Sequence, residues 1–383
     1  MRPVIAGLPA SKIREVANAG LGRSDVLAFW FGESDEATPS LVSEAAIESL
    51  RAGETFYSHN LGLPELREAL AAYLSVLHGN VAVDRIAVTS SGVSALMIAS
   101  QLLVGPGDEV VAVVPVWPNI TAQPAILGAQ VRRVSLRVQD GAWVLDLPAL
   151  LAAITPQTRA VLINAPNNPT GWTLTGEQQQ ALLAHCRRTG TWIVADEVYE
   201  RIYFEPGARA APSFLDIAEA TDRLVVAHSF SKSFLMTGWR LGWLVLPAGL
   251  SGEVAKLIEF NTSCAPVFVQ RAGLAAVRSA DALVPGLVQR LKTCRDTLIP
   301  RLAALPGVSV ATPRGGMYAF FRVEGQDDSL AYAKRLVEEF GLGLAPGIAF
   351  GDEAEGWLRW CFASRDPARL VDGVGRLSRA LGL

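Results

Sequence analysis

Short apolar runs and longer amphipathic stretches alternate along most of the chain, and the period of each stretch predicts its element. Residues 41–53 and 64–78 predict helices, with Pro64 suited to a first helical position and Gly53 and Gly79 to helix stops. A short strand is expected at Ile86–Val88, then a turn at Ser90–Gly92. A helix runs on through Leu103 until Gly105 closes it, and an apolar strand follows at Glu109–Pro115. The clearest unit spans residues 159–196. Ala160–Asn164 reads as a buried strand. Thr175 and Gln178 form a capping box for a helix that ends with Arg187, Arg188 and Gly190, and Thr191–Ala195 is the next strand. Strand, crossover helix and strand make a right-handed parallel unit. Leu224–Ala227 and Leu241–Leu246 add further strands. The pattern predicts an α/β domain whose mostly parallel sheet is covered by helices on both faces.

Beyond about residue 275 the texture changes. One long helix is expected over Ala275–Leu305, then strands near Val308–Val310 and Tyr318–Val323, a helix at Ser329–Phe340, a strand at Trp357–Phe362 and a terminal helix. This reads as a smaller α+β domain. Periodicity does not place the first forty residues.

With 383 residues, half of them hydrophobic, the chain has material for two or three domains. A net charge of −3 gives no basic excess, which argues against nucleic acid as the main partner. Cys186, Cys264, Cys294 and Cys361 show no zinc spacing, and His59, His78, His185 and His228 no metal-ligand spacing; the histidines are expected at the surface or in caps. No metal is expected. The residues from Met1 to Glu15 hold no apolar leader, and no apolar run approaches a membrane span, so a cytoplasmic protein without a membrane partner is expected. The basic residues alter the picture more. Five lysines stand against 29 arginines, so chemistry that needs a primary amine has few candidates.

Several chemistry-bearing segments fall where a parallel sheet places function, at the carboxyl ends of strands. Ser90-Ser91-Gly92 opens a helix whose N–H groups suit a phosphate, or it is an ordinary cap. Asp196 ends an apolar strand, where it meets either a cation or solvent. Ser229-Phe-Ser231-Lys232, followed by Gly238-Trp-Arg240-Leu-Gly242, sets an anion site beside an amine, or a solvated basic turn. Asn164 to Gly171 is a rigid Asn- and Pro-rich turn. Nucleotide fingerprints are absent: there is no G-x-x-x-x-G-K-[ST], and neither Gly20-Leu-Gly22 nor Gly341-Leu-Gly343 extends to G-x-G-x-x-G.

Taken in order, these segments resemble the class I/II, fold-type-I aminotransferases that depend on pyridoxal phosphate. The resemblance runs from Phe31-Gly32-Glu33 to Leu358-Arg359-Trp360-Cys361-Phe362-Ala363. Its most specific segments are Pro166–Gly171, Ala195-Asp196-Glu197-Val198-Tyr199, and Ser229–Lys232 with Gly238–Gly242. It implies a large cofactor domain over 41–275 and a small domain over 276–383 that includes the segment 1–40.

The resemblance also implies roles. Lys232 would be the Schiff-base lysine that also moves the proton. Asp196 would face the pyridine nitrogen, and Tyr199 and Asn168 the ring's phenolate oxygen. Arg240, Ser229, Ser231 and the Ser91-Gly92-Val93 backbone would hold the phosphate, Trp117 would stack on the ring, and Tyr57 would reach the phosphate of a second subunit, making a homodimer. Arg359 would take the substrate carboxylate, helped by Asn168 and the Gly32 backbone.

The implied reaction is ping-pong transfer of an amino group from an amino acid to a 2-oxo acid. Some dicarboxylate-preferring relatives carry a lysine directly after the phosphate-loop glycine, where this chain has Val93, so neutral or aromatic donors are expected. The same lysine and aspartate also serve a carbon–sulfur β-lyase or an α,γ-elimination. An aminotransferase-like sensor domain of a regulator would need a basic module before Gly32, and none precedes it here.

Overall fold

Alternation inside the apolar runs sorts their side chains onto two faces. In the computed structural model, which describes residues 1–383, Val111 and Val113 of one strand enter a core of 44 residues. Val110, Ala112 and Val114 of the same strand enter a second core of 22 residues on the opposite face. Both faces are therefore apolar and both are covered by helices, as a buried parallel sheet requires.

The strands are β1 (Ile86–Thr89), β2 (Glu109–Val114), β3 (Gln130–Ser135), β4 (Thr158–Asn164), β5 (Trp192–Asp196), β6 (Leu224–Ser229) and β7 (Gly242–Val245). They form one seven-stranded sheet in the order β1-β7-β6-β5-β4-β2-β3. Neighbours run parallel except at β7, which is antiparallel to both β1 and β6. The capping box at Thr175 and Gln178 is formed and opens the helix Gly176–Thr189, which links β4 to its parallel neighbour β5. The polar edge strand β3 has no counterpart in the apolar pattern. Of its residues only Val134 is buried, so it lacks the apolar run that marks the other strands.

The smaller unit is a four-stranded antiparallel sheet of Val308–Val310, Tyr318–Val323, Trp357–Cys361 and Ala345–Pro346. Its core of 32 residues includes Val16, Ala17, Phe29 and Trp30. Leu27–Ala28 pairs in parallel with Leu342–Gly343, which ties the amino-terminal segment to this sheet. The long helix expected over Ala275–Leu305 is instead two, Val267–Arg278 and Ala280–Ala303, broken at Ser279. The apolar stripe changes partners within the second helix, after Val284. Ala272, Ala276 and Val284 pack in the large core, whereas Leu287, Leu291 and Leu298 pack in the small one.

No helix is long and apolar enough to cross a membrane.

Candidate active site

Antiparallel β7 brings three distant segments together. Its first residue, Gly242, lies opposite Thr89 at the end of β1 and opposite Ser229 at the end of β6. Ser90–Val93, Ser231–Lys232 and Arg240–Leu241 therefore share one edge of the sheet. The ends of β4 and β5 lie alongside, with Asn164 opposite Asp196 and Asp196 opposite Ala227. Position 242 has no room for a side chain: a Cβ would lie 2.6 Å from the Gly92 nitrogen and 2.8 Å from the His228 carbonyl oxygen.

An anion cradle forms at this edge. Ser91 caps the helix Gly92–Leu103, its Oγ accepting the Ser94 N–H at 3.0 Å. The N–H groups of Gly92 and Val93, in the first turn, donate to nothing within the chain. Ser229 Oγ donates to Ser231 Oγ at 2.9 Å, and a Cβ on Gly92 would already touch Ser229 Cβ at 3.0 Å. Free N–H groups at the positive end of a helix, ringed by hydroxyls, suit a phosphate. Arg240 stands exposed at the rim, in left-handed backbone with φ +54°, and donates to the Thr237 carbonyl at 2.6 Å.

Lys232 and Asp196 sit deeper. Lys232 Nζ donates to the Gly32 carbonyl at 2.6 Å and lies 5.6 Å from the Tyr199 ring centroid. Burial, aided by the charges of Arg359 and Arg240, pulls its ammonium down to about 8. Asp196 is 2% exposed, and its carboxylate accepts one long hydrogen bond, 3.4 Å from the Val198 N–H. Burial pushes this carboxyl up to about 7 against the opposing charge of Lys232.

Arg359 reaches the same pocket from the small-domain sheet. It is 2% exposed, Nη1 donates to Asn168 Oδ1 at 3.0 Å, Nη2 donates to the Trp30 carbonyl, and Nε has no partner. The guanidinium lies 4.5 Å from the Tyr318 ring centroid and 4.9 Å from that of Phe350. Asn168 is itself positioned by Asn164, whose Oδ1 accepts its N–H at 2.7 Å, and its carbonyl accepts the Trp117 N–H at 2.8 Å. The Gly32 backbone lies at the pocket. Its carbonyl serves Lys232, Trp30 supplies the carbonyl that meets Arg359, and the Gly32 N–H is left without an acceptor. A Cβ at Gly32 would overlap the Tyr318 hydroxyl.

Tyr318, Phe350 and Trp30 are the site residues that sequence reasoning missed. A signal for the first existed in Gly315-Gly316 directly before its strand, since a Cβ at Gly315 would press on Pro166 and on the Ile202 carbonyl. Tyr57 does not join the pocket within one chain and is 90% exposed. Two histidines also depart from expectation. His78 and His228 are buried rather than at the surface, because they belong to a polar cluster behind β5 and β6. His78 bonds to Glu200 and Asp216 at 2.9 Å each; these bonds outweigh the cost of burial and raise it to about 10. His228 stacks on Trp243 at 4.9 Å and is pushed down to about 4 by burial.

The family model for aminotransferases of class I and II matches residues 24–377. The chain belongs to that family. It is 32% identical over 375 residues to the aspartate aminotransferase of Pyrococcus horikoshii, covering 97% of this chain and 94% of that one. It is 33% identical over 337 residues to the arginine–pyruvate transaminase of Pseudomonas aeruginosa, covering 88% and 85% of the two chains. The crystal structure of the Thermotoga maritima aspartate aminotransferase superposes with a TM-score of 0.92 at 32% identity, covering all of both chains.

As a family member the protein is an aminotransferase. It uses pyridoxal phosphate and acts on amino acids and 2-oxo acids. The residues present fit that cofactor. The free N–H groups and hydroxyls at Ser91–Val93 suit its phosphate, and Asp196 offers a buried carboxylate with no cation partner in the chain.

Proposed function

We propose that this aminotransferase works through Lys232, Asp196 and Arg359 and prefers amino donors with neutral or aromatic side chains. One observation carries the assignment. These three charged groups converge on one pocket, and none of them has a salt-bridge partner in the chain. Uncompensated charges of both signs are costly unless a ligand completes them.

When bound, the cofactor supplies a carbonyl that captures amino groups and a ring that accepts an electron pair. The chain does the rest. Arg359 holds the substrate carboxylate through its guanidinium, with the Asn168 side chain and the free Gly32 N–H beside it. Lys232, partly neutral near pH 8, accepts the proton from the substrate Cα and returns it one position away. Asp196, once ionised, would stabilise positive charge at the ring nitrogen. Tyr199 and Asn168 would donate to the ring oxygen, Trp117 would serve as the aromatic partner of the ring, and Arg240, Ser229 and Ser231 would join the Ser91–Val93 segment in holding the phosphate. Donor and acceptor use the pocket in turn, because one arginine serves both carboxylates.

The relatives act on different side chains, aspartate in one and arginine in another, so specificity is read from the pocket itself. Val93 stands in the first turn of the phosphate-binding helix, which carries no basic residue there. Phe31 directly precedes Gly32, and Trp117 donates its N–H to the Asn168 carbonyl, so two aromatic residues flank the groups that would hold the substrate. This lining favours apolar donors. The protein is further read as a homodimer. Phe56, Tyr57 and Phe260 are 82%, 90% and 87% exposed, an apolar surface that a second copy would cover while bringing its Tyr57 to the neighbouring phosphate.

Single-turnover absorbance of the loaded enzyme mixed with phenylalanine, leucine, alanine or aspartate tests the reading. Conversion of the cofactor to its amine form is expected to be faster with the first three. A kcat/KM for aspartate well above all of them would overturn it. Light scattering in solution reports the dimer.

A further inference from the structure

A groove of about 360 Å³ lies between the helix Pro64–His78 and the junction of the helices Val267–Arg278 and Ala280–Ala303. Ala69, Ala72, Val76 and Val277 give it apolar walls. Arg201 lies among its lining residues and is 5% exposed. Its Nε donates to the Arg209 carbonyl at 3.0 Å and its Nη1 to the Tyr73 hydroxyl at 3.1 Å, while Nη2 has no acceptor. The guanidinium lies 5.4 Å from the Tyr73 ring centroid.

No carboxylate forms a salt bridge with this buried cation; the charge of Glu200 reaches it, but that carboxylate is shared with His78 and His228. Glu200 pairs with His78 at 2.9 Å, Asp281 with Arg209 at 2.8 Å and Glu65 with Arg271 at 3.3 Å. A buried charge without a counter-ion is unfavourable, and an arginine fork of free N–H groups matches a carboxylate. None of these residues belongs to the cofactor pocket.

We propose that this groove is a second ligand site that takes a small aliphatic carboxylate. The carboxylate sits on Arg201 and the Tyr73 hydroxyl, and the alkyl tail lies along Ala69, Ala72, Val76 and Val277. Exposed Arg278, also in the lining, adds attraction for the anion, and Glu68 in the same lining disfavours a ligand that carries negative charge at both ends.

Isothermal titration of the cofactor-loaded enzyme with 4-methylpentanoate tests the site, with the catalytic pocket blocked by aminooxyacetate. One saturable site per chain is expected, with Kd of order 1 mM for a ligand of this size. Ala72→Phe fills the groove from an exposed wall position and should abolish binding while leaving transamination by the unblocked enzyme unchanged. Val76→Phe, also at an exposed position, makes the same test should Ala72→Phe not fold. Arg201→Gln should weaken binding about tenfold or more. No binding to the wild-type enzyme, or undiminished binding to a folded groove-filling variant, would overturn the proposal. Inorganic phosphate titrated in parallel decides the chemistry, since saturation by phosphate and not by the carboxylate would overturn the ligand class.

Discussion

Tyr318 places its hydroxyl 2.6 Å from that of Tyr199, so a small-domain strand and the turn after β5 meet at one hydrogen bond. The Tyr318 ring lies 4.5 Å from the Arg359 guanidinium. One residue thus supports both ends of the pocket. Burial holds both hydroxyls well above their usual titration range, so each stays a neutral donor at neutral pH. Tyr318→Phe keeps the ring under Arg359 and removes only the hydroxyl. It should retain cofactor and lose about tenfold in kcat/KM, the worth of one hydrogen bond of about 1–1.5 kcal/mol. Steady-state kinetics of the variant, with cofactor content measured by absorbance, check this.

Arg359→Lys keeps the charge and loses the planar fork that spans Asn168 and Trp30 and is proposed to hold the substrate carboxylate. The KM for the amino acid and for the 2-oxo acid should both rise, with kcat/KM falling about 100-fold for each. Damage confined to one of the two half-reactions would count against a shared carboxylate site.

Lys232 is held near 8 in the chain without cofactor, so its neutral amine becomes available between about pH 7 and 9. The rate at which the stripped enzyme captures added pyridoxal phosphate should rise across that window and level off above it. Stopped-flow absorbance against pH measures the profile. Lys232→Ala should bind cofactor non-covalently and abolish amino transfer.

Asp196 bears on stability as well as chemistry. Its folded value of about 7 lies above the ordinary value of 3.8, so the folded chain binds the proton more tightly. The stability this gives is fully present below about pH 4 and is lost as pH rises through 7. For the cofactor-free protein, Asp196→Asn should therefore raise the melting temperature relative to wild type most at pH 8 and distinctly less at pH 5. The same substitution should lower turnover of the loaded enzyme strongly, because in the proposed assignment the ring nitrogen would lose its carboxylate. Thermal melts at the two pH values, with and without cofactor, separate the effects.

Val93→Lys places a cation in the first turn of the helix Gly92–Leu103, proposed to hold the phosphate. It should raise kcat/KM for aspartate relative to phenylalanine by about tenfold or more, the scale of one charge-assisted contact. Unchanged preference would remove Val93 from the determinants of specificity.

Much of the site was legible in order along the chain. Ser229–Lys232, Asp196 and Asn168 follow apolar runs whose period marked them as strands, and residues after parallel strands collect at one sheet edge. The placement of Arg240 depended on the antiparallel direction of β7, which periodicity does not encode. The histidines were misjudged for a related reason. His228 looks isolated in sequence, yet His78 and Glu200 approach it from other elements, so its burial is a tertiary fact. The break at Ser279 was also hidden, because the apolar stripe continues across it, with Ala276, Ala280 and Val284 all in the large core.

By itself the sequence determined the local chemistry: which runs become strands, which turns carry amides and hydroxyls, and which single lysine stands among them. These are properties of neighbours in the chain, set by side-chain period, caps and turn residues. Only the tertiary structure decided that Tyr318 and Phe350 enclose Arg359, that Trp30 supplies its second acceptor, and that Arg201 is left buried without a salt-bridge partner. Those contacts join residues far apart in sequence. They arise from how two separate cores pack against one another, and no short segment contains both partners.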